Sequence, residues 1–178
     1  MKIHILLVSA FFIFISIFAF AEEFEHAIAV DSSGSMTGFY NTGSIKMLVV
    51  NLQKIIGGAK IYLFNDRGLE LVKRTDSLSS VNRDTRIDLA IKGFLGASRP
   101  DAIWLITDNV QDRTETPYVD ANTKEFYSIL QQDDFVRIYI MPCFLDFSGK
   151  VYLNREGRQY SENYTGRKGL IIYGILLN

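Results

Sequence analysis

Two segments of the sequence place oxygen-bearing side chains directly after runs of strand-forming apolar residues. In AIAVDSSGSMTG, residues 27–38, Asp31, Ser33 and Ser35 stand at alternate positions of a short loop in which Gly34 lets the backbone bend. AIWLIT, residues 102–107, is followed at once by Asp108. Two carboxylates enclosed together repel each other unless a cation neutralises them, so this pattern predicts a site for a hard divalent ion.

A threonine that opens the second long predicted helix adds a further hydroxyl. The predicted ligand set is Asp31, Ser33, Ser35, Thr85 and Asp108. An all-oxygen set favours Mg²⁺, with Mn²⁺ or Ca²⁺ as alternatives. Structural interpretations stay open: the serines cap a helix or close a turn, Thr85 forms a capping box with Asp88, and Asp108 starts a turn with Asn109. We favour the metal site because three separate explanations would otherwise have to reproduce one pattern.

Apolar periodicity predicts the strands and helices that position these side chains. Strands are expected at residues 24–30, 59–64, 69–74, 102–107, 136–141 and 169–177. Helices are expected at residues 45–56, 85–95 and 123–132. The first helix should bury a stripe that includes Ile55 and should stop at Gly57-Gly58. Only residues 65–68 separate the second and third strands, which predicts an antiparallel hairpin at a sheet edge.

Strands that alternate with amphipathic helices predict an α/β fold. We expect a doubly wound, mostly parallel, Rossmann-like sheet with one antiparallel edge strand and helices on both faces. In the strand order 3-2-1-4-5 the first and fourth strands are neighbours, and ligands bind beyond their carboxyl ends. Asp31 and Asp108 would then face one crevice.

The C-terminal part, residues 147–178, is less regular. A hairpin is expected around Glu156-Gly157, and the last buried strand has no helix after it. A fragment, an early stop or a surface covered by a partner would each account for the lack of a final helix.

The five oxygen-bearing residues resemble the metal-ion-dependent adhesion site (MIDAS) of a von Willebrand factor type A (vWA) domain. The resemblance covers roughly residues 24–145, with Asp31-x-Ser33-x-Ser35, Thr85 and Asp108 in the family's order. It implies that the three hydroxyls contact the ion, that the aspartates bind it directly or through water, and that one position stays open for an acidic side chain of a protein partner.

Three positions depart from the family pattern. Arg83-Asp84 stand where the family usually has two glycines before the threonine, and Asn109 stands where it usually has glycine. Asn tolerates a left-handed backbone, so the turn after Asp108 is expected to survive. A charge at Arg83 or Asp84 is expected to change metal affinity or to compete for the open coordination position.

The N-terminus predicts export. Lys2 precedes an apolar run from Ile5 to Phe20 and an A-x-A site, so residues 1–21 read as a signal peptide or, alternatively, an uncleaved membrane anchor. Residues 22–178 are then one exported domain, periplasmic, secreted or on the cell surface. The formal net charge is −1, and −2 without residues 1–21, which argues against nucleic-acid binding. Cys143 is the only cysteine, so no internal disulfide is possible.

Catalysis is the less favoured interpretation. The sequence has no G-x-S-x-G motif, and His26 is the only histidine after the predicted signal, which argues against a Ser-His-Asp hydrolase. A Mg²⁺-dependent phosphoryl-transfer enzyme with Asp31 as nucleophile remains an alternative, although residues 32–38 offer no lysine or second acid. A structural envelope-assembly domain with a degenerate metal site is the other alternative.

Overall fold

The computed structural model describes residues 24–81, 83–97, 99–109, 128–129, 131, 135–155 and 158–177. The predicted signal segment lies outside these residues, as does most of the helix expected at 123–132, of which Ser128 and Ile129 are described and helical. Within the described part of the chain, no helix is both long enough and apolar enough to cross a membrane.

Six strands of the described residues form one sheet. They are β1 (His26–Asp31), β2 (Lys60–Asn65), β3 (Gly68–Val72), β4 (Ala102–Thr107), β5 (Phe135–Arg155) and β6 (Arg158–Leu177). Their order across the sheet is β3-β2-β1-β4-β6-β5. The β1 strand pairs in parallel with both β2 and β4, whereas β3 and β6 run antiparallel to their neighbours. The protein is therefore a mixed α/β protein in which four of the six strands run in one direction.

The predicted order is correct for the first four strands and wrong for the fifth. The β6 strand lies between β4 and β5, so the sheet has two antiparallel strands instead of one. The reason is that the connection between β5 and β6 is too short for a crossover helix. Arg155 pairs with Arg158, so the two strands can be joined only as a hairpin. Glu156-Gly157, where the turn was predicted, lie outside the described residues.

Among the described residues, three α-helices with defined bounds pack on the two faces of this sheet. They are α1 (Thr37–Asn41), α2 (Ser44–Ile56) and α3 (Ile87–Ala97). Because neighbouring residues of a strand point to opposite faces, Ile28 and Val30 join the core under α1 and α2, while Ala27 and Ala29 join the core under α3. Helices on both faces are thus confirmed. The predicted burial of Ile55 is wrong, because this side chain is 80% exposed.

The hairpin of β5 and β6 extends past the end of β4. The β4 strand pairs with β6 only over Ile171–Leu176, so residues 143–155 and 158–170 form a two-stranded ribbon beyond it, which we call the arm. The β5 strand was predicted to end near Met141, before Pro142, but proline is tolerated in an edge strand. The half-buried Cys143 packs against the core, and burial raises the pKa of its thiol.

The arm packs on α1 at the carboxyl end of the sheet. The rings of Phe39 and Phe147 meet edge to face, with centroids 4.9 Å apart, and both are fully buried. The side chains of Thr42 and Ser44 each donate a hydrogen bond to the carbonyl of Asp146 at 2.8 Å. The arm therefore lies beside the carboxyl ends of β1 and β4, where the sequence places the candidate site.

Candidate metal centre

The loop after β1 is held by backbone contacts from both sides. The backbone N–H and the hydroxyl of Ser32 both donate to the carbonyl of Phe64, at 2.9 and 3.0 Å, which ties the loop to the end of β2. The backbone N–H of Gly34 donates to the carbonyl of Arg83 at 3.0 Å, which brings the segment before α3 against the loop. These contacts fix the positions of the side chains that follow Asp31.

Asp31 is the buried centre of the cluster, with none of its surface exposed. Its Oδ1 accepts the backbone N–H of Ser33 at 2.8 Å, and its Oδ2 accepts the hydroxyls of Thr85 at 3.0 Å and Thr107 at 2.7 Å. Burial raises the pKa of Asp31 to about 6, although hydrogen bonds from Thr107 and Ser33 lower it, and the charge of Asp108 adds to the rise. The ionised form is therefore less stable here than in water, and a bound cation would favour it.

The two serines connect Asp31 to the second carboxylate. Ser33 Oγ and Ser35 Oγ lie 3.1 Å apart, and Ser35 Oγ donates to Asp108 Oδ1 at 3.0 Å. Adjacent oxygen ligands of octahedral Mg²⁺, with bonds of 2.0–2.1 Å at right angles, are separated by roughly 2.9 Å. Hydrogen bonds alone give a similar spacing, so it is the all-oxygen chemistry of the set that fits such an ion.

All five residues predicted from the sequence thus belong to one hydrogen-bonded cluster at the carboxyl ends of β1 and β4. The chain of contacts runs from Thr85 through Asp31, Ser33 and Ser35 to Asp108. No group of three or more His, Cys, Asp or Glu side chains suited to a metal occurs among the described residues. The predicted set does not need one, because three of its members are hydroxyls.

The residues that depart from the vWA pattern have identifiable environments. Asn109 has φ of 55°, the left-handed conformation that its type tolerates, and its backbone N–H donates to Thr107 Oγ1 at 2.9 Å. The guanidinium of Arg83 lies 3.8 Å from a carboxylate oxygen of Asp66 in the β2–β3 hairpin. Asp84 is exposed. The charge of Arg83 is therefore partly balanced by Asp66.

Asp88 pairs with Arg86 instead of forming the capping box predicted at the start of α3. Its carboxylate accepts two hydrogen bonds from the guanidinium of Arg86, at 2.8 and 2.7 Å. Although burial raises the pKa of Asp88, the hydrogen bond and charge of Arg86 lower it below the usual value. The hydroxyl of Thr85 meanwhile donates to Asp31.

Three further described residues contact the cluster and were missed from the sequence. Thr107 directly precedes Asp108 and was a visible candidate, because a hydroxyl at the end of β4 faces the same crevice. The hydroxyl of Tyr40 donates to the carbonyl of Asp31 at 2.8 Å. Lys168, in the arm, places Nζ 2.7 Å from Asp108 Oδ2, and no local pattern in the sequence indicates this contact.

Comparisons of this chain with protein-family models, with curated proteins and with solved structures found no match.

Proposed function

We propose that this protein is an exported vWA-type binding module whose MIDAS-like site holds Mg²⁺, or alternatively Mn²⁺ or Ca²⁺, and presents it to an acidic group on a protein partner. The observation that carries the proposal is the single cluster formed by all five predicted ligands at the ends of two adjacent parallel strands. Adhesion or assembly of a complex would be the outcome, without catalytic turnover.

The ligands would divide into two groups by burial. Asp31 and Thr85, both almost entirely buried, would hold the inner side of the ion's surroundings and keep their mutual hydrogen bond. Ser35 is half-buried and lies nearer the opening of the crevice, whereas the side chain of Asp108 has no exposed surface. Bound Mg²⁺ would supply a Lewis-acidic position for a carboxylate oxygen, and the residues of this chain would orient it and exclude water from one side.

Two features favour binding over hydrolysis. His26 is the first residue of β1 and Asp31 is the last, so this histidine lies at the opposite end of the strand from the cluster. Asp31 is buried, and both of its oxygens accept hydrogen bonds from the protein. A carboxylate so enclosed is suited to orienting neighbouring ligands and poorly placed to attack a phosphorus atom.

One contact does favour the phosphoryl-transfer alternative. Such enzymes use a lysine near the catalytic aspartate to balance phosphate charge, and Lys168 Nζ lies 2.7 Å from Asp108 Oδ2. Incubation of the full chain with Mg²⁺ and acetyl phosphate tests this second function. A covalent phosphate on Asp31, detected by mass spectrometry and lost in Asp31→Asn, would establish it and would refute the purely binding role.

Calorimetric titration of the full chain with Mg²⁺ tests the cation site. We expect saturable binding of one ion that is lost in the Asp31→Asn/Asp108→Asn double variant. The matched control is Glu70→Gln/Asp76→Asn, which removes two exposed carboxylates outside the crevice and should bind as the original chain does. Absence of saturable binding at about 10 mM Mg²⁺ would refute the site. This concentration is tenfold above the weakest dissociation constants usual for extracellular cation modules.

Capture of partners from an envelope extract tests the binding function. We expect partners that bind the full chain in Mg²⁺, are released by a chelator and are not captured by Asp31→Ala. Capture that is unchanged in Asp31→Ala would contradict the proposal. Capture that persists in chelator would instead support a structural assembly domain with a degenerate metal site.

A further inference from the structure

A single lysine in the arm forms an ion pair with the second carboxylate of the cluster. Lys168 Nζ lies 2.7 Å from Asp108 Oδ2, while the other oxygen of Asp108 accepts the hydroxyl of Ser35. The Asp108 side chain has no exposed surface, and the Lys168 side chain is only 22% exposed. Solvent and salt screen such a pair less than they screen an exposed one.

Two aromatic rings hold the lysine in place. Its Nζ lies 4.7 Å from the ring centroid of Phe147 and 5.4 Å from that of Phe39. Both distances are within the range of cation–π attraction. Because these two rings also form the contact between the arm and α1, the position of the ammonium depends on the docking of the arm.

We propose that Lys168 is a built-in competitor of the divalent ion. Without the ion, the ammonium of Lys168 neutralises Asp108 and stabilises the cluster. An ion bound beside Ser35 and Asp108 would repel the ammonium and weaken the contact between Lys168 and Asp108. The arm thereby sets the ion concentration at which the site fills. This inference rests on the proposed metal site and adds its regulation.

The physical basis is that two positive groups share one carboxylate. A divalent ion held by Asp108 would share this buried carboxylate with the ammonium of Lys168, and like charges repel strongly in a buried environment. The repulsion lowers the affinity for the ion by the same factor as the ion lowers the strength of the lysine contact, since linkage is reciprocal.

Substitution of the lysine by methionine tests the competition. Lys168→Met removes the charge and keeps an unbranched, polarizable side chain over the two rings. Lys150→Met is the matched control, because Lys150 is an exposed lysine of the same hairpin. In calorimetric titration of the full chain with Mg²⁺, we expect Lys168→Met to lower Kd on the order of tenfold, within the range usual for coupling between two ligands, and Lys150→Met to leave it unchanged.

Thermal unfolding separates this inference from the proposed function. In chelator, Lys168→Met should unfold at a lower temperature than Lys150→Met, because two carboxylates lose their counter-charge, and saturating Mg²⁺ should close that gap. Equal Mg²⁺ affinity in both variants, or a lower affinity in Lys168→Met, would overturn the competition while leaving the metal site intact. Absence of Mg²⁺ binding in every variant would overturn the metal site, and the competition with it, even if the gap in chelator is present.

Discussion

Ionisation of Asp31 should destabilise the metal-free protein. Burial raises the pKa of this carboxyl from an ordinary value of 3.8 to about 6. Between these values the folded protein keeps a proton that the unfolded chain has released. The contribution to stability is therefore full below pH 3.8 and is lost as the pH rises through about 6. At about 1.4 kcal/mol for each pH unit, the loss amounts to about 3 kcal/mol.

Urea denaturation in chelator measures this effect when the original chain is compared with Asp31→Asn. The side chain at position 31 carries no charge in Asp31→Asn, so the stability of this variant relative to the original chain should rise by about 3 kcal/mol between about pH 3 and pH 7.5. The comparison with Asp31→Asn is needed because Asp88 also makes stability depend on pH. The pKa of Asp88 is lowered, so its contribution to the stability of the protein is lost as the pH falls. Asp76→Asn, at an exposed position, is the control and should follow the original chain.

Parallel pH profiles for the original chain and Asp31→Asn would refute the reasoning, because they would show that Asp31 ionises as easily in the folded state as in the unfolded one. The same titration in Mg²⁺ extends the test to the proposed site. A bound divalent ion favours the carboxylate over the protonated acid, so Mg²⁺ should restore stability above pH 6 in the original chain. Asp31→Asn should show no such recovery.

Two further substitutions test the packing around the cluster, each by urea denaturation. Gly38→Ala should lower the free energy of unfolding by about 1–3 kcal/mol, because an added Cβ would lie 2.3 Å from the ring of Phe147. Gly96→Ala in α3 is the control and should not lower it, because nothing lies within 4 Å of the added Cβ. Equal effects at both positions would contradict the close approach of the arm to α1. Thr107→Val keeps the side-chain shape but removes the hydroxyl that Asp31 accepts and should also cost about 1–3 kcal/mol. An unchanged stability would show that this hydroxyl is dispensable.

The part of the site that follows from the sequence depends on local signals. An aspartate after each of two buried parallel strands, and a threonine before an amphipathic helix, are visible as patterns of neighbouring residues. Once β1 and β4 are predicted as neighbours in the sheet, their carboxyl ends must lie together. The sequence therefore predicts that Asp31, Asp108 and Thr85 lie close together without any information about distant contacts. Whether they bind a metal remains a prediction.

The position of β6 could not be predicted in the same way. Apolar periodicity identifies a buried strand, and both 136–141 and 169–177 show this pattern, but periodicity does not say which of the two pairs with β4. Pro142 and Gly149 also interrupt the pattern of β5, although an edge strand tolerates both residues. The contact between Lys168 and Asp108 depends on this placement, because it joins residues 60 positions apart in the chain.

The arm changes what the cluster can attract. At pH 7, above the pKa of about 6 for Asp31, the two carboxylates and the ammonium of Lys168 leave the cluster with one net negative charge, which repels an acidic group. Addition of a divalent ion reverses the sign to one net positive charge. The lysine therefore lowers the affinity for the ion and, at the same time, gives the filled site the surplus charge that an acidic partner would neutralise. A MIDAS-like cluster without this lysine would be neutral when filled, so Lys168 would make the binding of an acidic partner depend more sharply on the metal.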